Sequence, residues 1–243
     1  VYLLDWSDVG ECHENDGVHR SSGRIFRITW GITTHKPFDL AALPDETLAK
    51  LQLERNERYV RHARRLLQER ANAGEDLTAA KKILAGIFKN NPDVTRKLRA
   101  LWSLHAIGAT DSDPAFAPLR LLDHVEEHVR VWAVRLLADD CTAPTREASD
   151  ALAKMAAKEE SGLVRLYLAS ALRRLPLDKR WPLAGALAQA ADLAADPVYP
   201  LLLWYGIEPA VPANPAAALK LAATSKLPKI RQFISRRLAE QKK

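Results

Sequence analysis

A repeated helical segment constrains the fold of this chain more than any other feature of its sequence. Five segments share an apolar pattern around one basic residue, and these basic residues are Arg61, Lys97, Arg130, Arg165 and Arg231. Their separations are 36, 33, 35 and 66 positions, the last being twice 33. A degenerate copy over 198–206, with Tyr199 in the basic position, fills the long interval. A nearly constant period with one helix pair per repeat is typical of α-solenoids.

The segments between these copies predict the other helix of each pair, at 44–54, 77–89, 114–123, 144–158, 180–194 and 214–223. Asn or Asp precedes proline at 91–92, 113–114, 196–197 and 214–215, which predicts capped helix starts. We therefore expect an all-α fold over 37–243, an α-solenoid of about six HEAT-like helix pairs. Its shared core should contain Leu66, Leu101, Leu104, Trp132, Leu136, Leu168 and Leu172.

Residues 1–36 differ in kind from the repeats. The segments 1–4 and 24–30 are rich in β-forming residues, and a polar loop with three glycines connects them. The sequence predicts a short two-stranded β-segment here. Two strands alone are only marginally stable. We therefore expect them to complete a larger sheet that is missing, so that the chain is part of a longer protein.

Charge and hydropathy exclude some classes of protein. No apolar run reaches the length of about 18 residues that a transmembrane helix needs. The net charge is +6, but residues 220–243 carry +7 and the remaining chain −1, so a uniformly cationic nucleic-acid surface is not indicated. The basic last helix is either a polar cap of the solenoid or a contact for an acidic partner. Cys12 and Cys141 are interpreted as unreactive thiols.

The loop over 5–20 is dense in carboxylate, imidazole and guanidinium groups, and its candidate binding residues are Asp16, His19 and Arg20. Such groups can bind a metal ion or complete an active site in the intact protein. Their spacing matches neither an EF-hand nor a zinc pattern. The alternative is a solvated loop whose Asp and Gly residues satisfy local turns. We expect no catalytic residue and no metal ligand in this chain.

The basic residues of the repeat are the second candidate site. Equivalent positions in stacked repeats should form a ladder along one face. One interpretation pairs each basic residue with a carboxylate of the neighbouring turn, such as Asp93, Glu126 or Glu160. The other interpretation is a binding surface for a partner or an anion.

Histidines and tryptophans receive structural interpretations. His124 and His128 have the i,i+4 spacing of metal ligands, but a third ligand is not evident, so we interpret them as surface or inter-repeat side chains. The tryptophans near helix centres are expected in the core rather than as stacking platforms. They are Trp102, Trp132, Trp181 and Trp204.

Two stretches resemble a known family. The first comprises Asp5-Trp6-Ser7-Asp8, Gly10-Glu11-Cys12-His13, Asp16-Gly17-Val18-His19-Arg20 and Gly23-Arg24-Ile25. It resembles the closing segment of the β-propeller in large bacterial proteins known as membrane-bound dehydrogenases or haem-binding CxxCH proteins. The second comprises Tyr59 to Arg70, with Leu203-Trp204-Tyr205 and Glu208-Pro209, and resembles the HEAT segment that follows that propeller.

This resemblance implies an exported, periplasmic protein with several domains. A sugar-dehydrogenase-like propeller would precede the solenoid, and a cytochrome c-like domain would usually follow it. The sequence departs from the family pattern because it contains no CxxCH motif, the attachment site of covalent haem. We therefore expect no cofactor in this chain, and any redox activity of the parent protein in its other domains.

The repeats and the resemblance together favour a non-catalytic scaffold that orients flanking domains or binds a protein partner. The alternative comes from another class, a nucleic-acid-binding HEAT-like solenoid of DNA-glycosylase type. In that alternative the basic ladder would contact phosphates and the tryptophans would stack on bases. No carboxylate stands out as catalytic, and the charge outside the tail is −1, so we expect nucleic acid not to be the partner.

Overall fold

The structure, a computed structural model, describes residues 1–5, 24–31, 38–138 and 144–240. The chain divides into two compact units, Val1–Asp39 and Leu40–Lys243.

The first unit contains an antiparallel pair of strands, β1 (Tyr2–Leu4) and β2 (Ile25–Arg27). Leu3 lies opposite Phe26 in this register. All six strand residues are exposed, and Leu4 and Ile25 retain 80% and 72% of their accessible surface. The expected two-stranded β-segment is therefore present, and apolar side chains on both of its faces remain uncovered.

The second unit is helical. Within the described residues its α-helices are α1 (Asp45–Lys50), α2 (Glu57–Asn72), α3 (Thr78–Asn90), α4 (Val94–Ala106), α5 (Ala109–Ser112), α6 (Pro118–Leu121), α7 (Glu127–Ala138), α8 (Arg146–Ala156), α9 (Gly162–Ala171), α10 (Arg180–Leu187), α11 (Tyr199–Ile207), α12 (Ala210–Ala213), α13 (Pro215–Thr224) and α14 (Pro228–Glu240).

These helices stack as successive pairs. The second helices of the pairs are α2, α4, α7, α9, α11 and α14, and each contacts the next one along the chain. The first helices include α1, α3, α8, α10 and α13, with contacts from α1 to α3, from α8 to α10 and from α10 to α13. Contact between equivalent helices of consecutive pairs defines a solenoid-like arrangement. The expected all-α fold is confirmed.

The first helix of the third pair differs from the single helix predicted over 114–123. It consists of α5, a 3₁₀ turn over Pro114–Phe116 and α6. Pro118 has no backbone N–H, and its ring would clash with the carbonyl of Pro114 in a continuous helix. A new helix therefore begins at Pro118. The fifth first helix, α10, also ends earlier than predicted, at Leu187.

Two of the four predicted helix starts are displaced. The side chains of Asp113 and Asn214 accept backbone N–H groups at the starts of the 3₁₀ turn and of α13, as predicted. Helix α4 instead begins after Asp93, whose carboxylate accepts the N–H of Thr95 at 2.8 Å. Helix α11 begins at Tyr199, three residues after Asp196. Asp196 still accepts the N–H groups of Val198 and Tyr199.

A continuous apolar core runs through the pairs. Leu66, Leu101, Leu104, Leu168 and Leu172 are buried in it, as predicted. The prediction for Leu136 was wrong, because Val134 and Leu137 of α7 contact the core instead. Within the described residues every helix is too short or too polar to span a bilayer.

Candidate functional site

The basic column of the repeat lies near the start of the second helices. Lys97, Arg130, Arg165 and Arg231 are each the fourth residue of their helix, and Arg61 is the fifth residue of α2. A helical side chain points towards the N-terminus of its helix. From this position it therefore reaches back to the turn that precedes the helix.

Arg130 makes the most extensive contacts of the column. Its Nε and Nη2 donate to the two carboxylate oxygens of Glu159, and its Nη1 donates to the carbonyls of His124 and Val125 at 2.9 and 3.0 Å. The hydrogen bond to Glu159 raises the pKa of Arg130. Burial alone would raise the pKa of Glu159, but hydrogen bonds from Arg130 and Ser161 outweigh it and lower that pKa. Arg130 thus joins the third pair to the fourth.

Arg165 and Lys97 follow the same pattern. Arg165 donates through Nη1 to both carboxylate oxygens of Asp192, at 3.2 and 3.0 Å, and through Nε to the carbonyl of Glu159 at 2.6 Å. The Nζ of Lys97 donates to the carbonyls of Phe88 and Lys89, at 3.0 and 3.2 Å, at the end of α3. These residues hold the end of one helix and the following turn against the next helix.

The two outer members of the column are surface residues. Arg61 lies 3.7 Å from Glu57 one helical turn away, and its side chain is 79% exposed. Within the described residues the exposed guanidinium of Arg231 has no ion pair. The predicted partners of the column, Asp93, Glu126 and Glu160, were wrong, because the basic side chains reach Glu159, Asp192 and backbone carbonyls instead. In the degenerate copy, Tyr199 is fully buried and donates to the carbonyl of Leu187.

Not all of the residues singled out from the sequence are described by the structure. Asp16, His19, Arg20, Cys12 and Cys141 lie outside the described residues.

His124 does not share a metal-like arrangement with His128. Its Nδ1 accepts the N–H of Glu126 at 3.0 Å, and burial, followed by the nearby Lys97, lowers its pKa. Within the part of the chain that the structure describes, no three His, Cys, Asp or Glu residues are arranged to hold a metal ion.

A second set of side chains on the second helices forms a continuous stack, which we call the aromatic–arginine row. The guanidinium carbon of Arg64 lies 5.1 Å from the ring centroid of Trp102, and the rings of Trp102 and Trp132 are 4.9 Å apart. Arg135 lies 4.0 Å from the ring centroid of Trp132 and 6.0 Å from that of Tyr167. Guanidinium groups at these distances are attracted to the faces of aromatic rings.

Two polar atoms in the row are unsatisfied. The Nε of Arg64 and the Nε1 of Trp102 are buried and have no hydrogen-bond partner within the described residues. Burial lowers the pKa of Arg64, and the positive charges of Arg61 and Arg99 act in the same direction against the opposing effect of Glu57. Buried donors without partners are rare in folded proteins. These two donors therefore mark a local polar cost within the packed part of the row.

A cavity of about 340 Å³ adjoins the row between α7 and α9. It is lined by Val134, Arg135, Ala138, Tyr167, Ser170, Ala171 and Arg174. Small side chains on its walls leave room for a side chain of a bound molecule. The row and this cavity thus present aromatic, cationic and apolar surface side by side.

Sequence reasoning assigned Trp102, Trp132, Trp181 and Trp204 to the core. All four are only partly buried, although Trp132, Trp181 and Trp204 pack against the core. The missed signal is a second register in the aligned repeats. Trp132, Tyr167 and Phe233 lie two positions after the basic residue, and Trp102, Arg135 and Arg236 lie five positions after it. Positions three apart share a helix face, so this pattern predicts a stripe of aromatic and arginine side chains.

No family model, curated protein or solved structure matches the chain.

Proposed function

We propose that the chain is a non-catalytic scaffold that binds a protein partner and orients neighbouring domains. The aromatic–arginine row is the observation that carries this proposal. Trp, Tyr and Arg are the residues most enriched among those that dominate protein–protein binding energy. The row places all three types on adjacent helices, beside a cavity.

The perturbed carboxylates support a structural role for the charged groups. The hydroxyl of Thr78, and then its backbone N–H, donate to Asp76 and lower its pKa. Backbone N–H groups of Tyr199 and Val198 do the same for Asp196 at the start of α11. Asp123 and Glu159 have lowered pKa values and bind Lys158 and Arg130. Each of these shifts has a partner that belongs to the fold, rather than the converging acid and base of a catalytic site.

The exposed hairpin supports attachment to a further domain. The strand residues leave large apolar side chains uncovered, including Leu4 and Ile25. Within this proposal the parent protein is the exported, multi-domain protein that the resemblance implies, with an upstream propeller and a downstream cytochrome c-like domain. Any cofactor of that protein would then be bound outside this chain.

Site-specific photo-crosslinking in the native host tests the proposal. A photoreactive residue at Tyr167, in the row, should crosslink to a defined protein or domain. The same residue at Lys154, an exposed position on the first helix α8, serves as the control. Trp132→Ala should lower the crosslinking yield at Tyr167, because it removes the central ring of the row. Equal labelling from both positions would show that the row is not an interface.

The alternative function, nucleic-acid binding of DNA-glycosylase type, is favoured by one observation. Arginine stacked on indole is also found where proteins bind single-stranded nucleic acid. Fluorescence anisotropy with duplex and single-stranded oligonucleotides at two salt concentrations distinguishes the two functions. Affinity that falls steeply with salt indicates phosphate contacts and would reverse our choice.

A further inference from the structure

A second cavity, of about 420 Å³, lies near the end of the solenoid. We call it the C-terminal pocket, and it is lined by Arg173, Arg180, Tyr205, Glu208, Pro209 and Arg237. These residues come from α10, α11, α14 and the segments that follow α9 and α11. Side chains from separate repeats therefore converge on one space.

Arg180 is the most deeply placed charge in this pocket. Only 8% of its surface is exposed, and its guanidinium donates to the carbonyls of Leu175, Gly206 and Arg173, at 2.8, 2.7 and 3.1 Å. Burial and then the charge of Arg173 lower its pKa. The carbonyls fix the guanidinium in place but do not neutralise it. Within the described residues no carboxylate pairs with Arg180.

The other charges of the pocket leave a positive excess. Arg237 lies 3.7 Å from Glu240, but its Nε is buried and has no hydrogen-bond partner within the described residues. Three guanidiniums thus face the single carboxylate of Glu208 among the lining residues. Planar arginine groups in partly desolvated positions suit the two oxygens of a carboxylate.

An aromatic cleft of about 300 Å³ adjoins the pocket. It shares Tyr205, Glu208 and Arg237 with the pocket, and its other lining residues are Leu201, Trp204, Phe233, Arg236 and Glu240. The rings of Trp204 and Phe233 lie 5.3 Å apart. A ligand that fills both spaces therefore needs an anionic group close to an apolar one.

We propose that the C-terminal pocket binds the carboxylate of an acidic residue in a partner protein, while the aromatic cleft takes a neighbouring apolar side chain. This inference rests on the proposed scaffold function and names the chemistry of its partner. A continuous phosphate backbone fits less well, because Glu208 and Glu240 line the cleft and would repel it. An isolated carboxylate has only Glu208 to oppose it in the pocket.

The test uses fluorescent peptides and the whole chain. Each peptide carries one Asp or Glu and one Phe or Leu. Because an extended chain rises about 3.3 Å per residue, spacings of roughly one to four residues cover the adjoining cavities. We expect a subset of acidic peptides to bind, and their amide counterparts, with Asn or Gln, to bind at least about tenfold more weakly.

Variants locate the binding site. Arg173→Gln and Arg237→Gln should each weaken binding about tenfold, since each removes one guanidinium of the pocket. Arg146→Gln, an exposed position on α8, is the matched control and should leave the affinity unchanged. Glu208→Gln should tighten binding about threefold or more, because it removes the opposing charge. A gain of affinity cannot result from loss of folding. Arg180 is left intact because its three hydrogen bonds support the fold.

Several results would overturn the inference. They are equal binding of acidic and amide peptides, absence of binding by every peptide, or unchanged affinity in Arg173→Gln and Arg237→Gln. Inorganic phosphate and a single-stranded oligonucleotide are measured in parallel. Tighter binding of either one would assign the pocket to phosphate instead. Crosslinking at Tyr167 is independent of this pocket, so failure here and failure of the scaffold function are distinguishable.

Discussion

Arg130 and Glu159 form a bidentate ion pair between consecutive helix pairs. The distances from Nε to Oε2 and from Nη2 to Oε1 are both 2.9 Å, and the two residues are 29 positions apart in the sequence. Glu159 also accepts the backbone N–H of Ser161, whose hydroxyl caps α9. The pair thus connects the turn before α7, through Arg130, to the turn before α9.

Removing one partner of this pair should destabilise the protein. The side chains of Arg130 and Glu159 are only 18% and 5% exposed. Arg130→Ala would leave Glu159 buried without its counter-charge, and we expect a loss of about 2–4 kcal/mol in the free energy of unfolding. Arg61→Ala is the control, because Arg61 occupies the same column with a 79% exposed side chain. Urea titrations that gave both variants the same midpoint would contradict this prediction.

Protonation of Glu159 should account for part of the stability that the protein loses at low pH. Its pKa is lowered in the folded protein, so its contribution to stability is complete above the unfolded pKa of about 4.3. This contribution is lost as the pH falls through the folded pKa. Glu159→Gln should therefore be less stable than the wild type at pH 7, and the difference should shrink below about pH 4.3. Chemical denaturation at several pH values measures the difference. A constant difference across the pH range would argue against this linkage.

The close approach of α11 to the end of α9 makes Gly206 sensitive to substitution. A Cβ atom at Gly206 would lie 2.6 Å from the Cβ of Leu172. Gly206→Ala should force the two segments apart and cost about 1–3 kcal/mol. Gly185→Ala in α10 is the matched control, since a Cβ there meets no atom within 4 Å. It should stabilise the helix by about 0.5–1 kcal/mol. Thermal melts in which both substitutions shifted the melting temperature in the same direction would contradict the close approach at Gly206.

Leu168 and Leu136 allow the stability cost of truncating a buried leucine to be compared with that of a partly exposed one. Leu168 is fully buried in α9, whereas Leu136 in α7 is only partly buried. Leu168→Ala should cost about 2–5 kcal/mol because it leaves a cavity. Leu136→Ala should cost clearly less, since fewer atoms surround it. Equilibrium unfolding of both variants checks the order, and a larger loss for Leu136→Ala would place that side chain in the core.

The fold was predictable because the repeat is written in the sequence. Recurrence of the basic residue and its apolar neighbours located the second helix of each pair. This includes α11, where Tyr199 replaces the basic residue. The period fixes which helices are equivalent, and equivalent helices must cover each other's apolar faces. Helix ends were less predictable. Pro118 divides a segment whose apolar pattern alone favours one helix.

Side-chain partners required the three-dimensional arrangement. The sequence indicated Glu160 as a partner of the basic column, but the adjacent Glu159 pairs with Arg130, because the path of the turn buries Glu159 and leaves Glu160 exposed. The aromatic–arginine row was missed for a different reason, although the second register of the repeats marks it. A tryptophan near a helix centre has the same sequence pattern whether it faces the core or the surface. The C-terminal pocket combines residues from separate repeats, so no local motif marks it.

The broken first helix of the third pair affects where the stack of helices begins to unfold. Helices α5 and α6 have four residues each, far below the length at which a helix is stable by itself. In a stack with nearest-neighbour contacts, total stability is approximately a sum of local terms, and we expect the third pair to contribute one of the smaller terms. We therefore expect local unfolding to begin in the third pair. The aromatic–arginine row runs from α2 to α9 past the third pair. A partner bound to the row would therefore stabilise this pair against local unfolding.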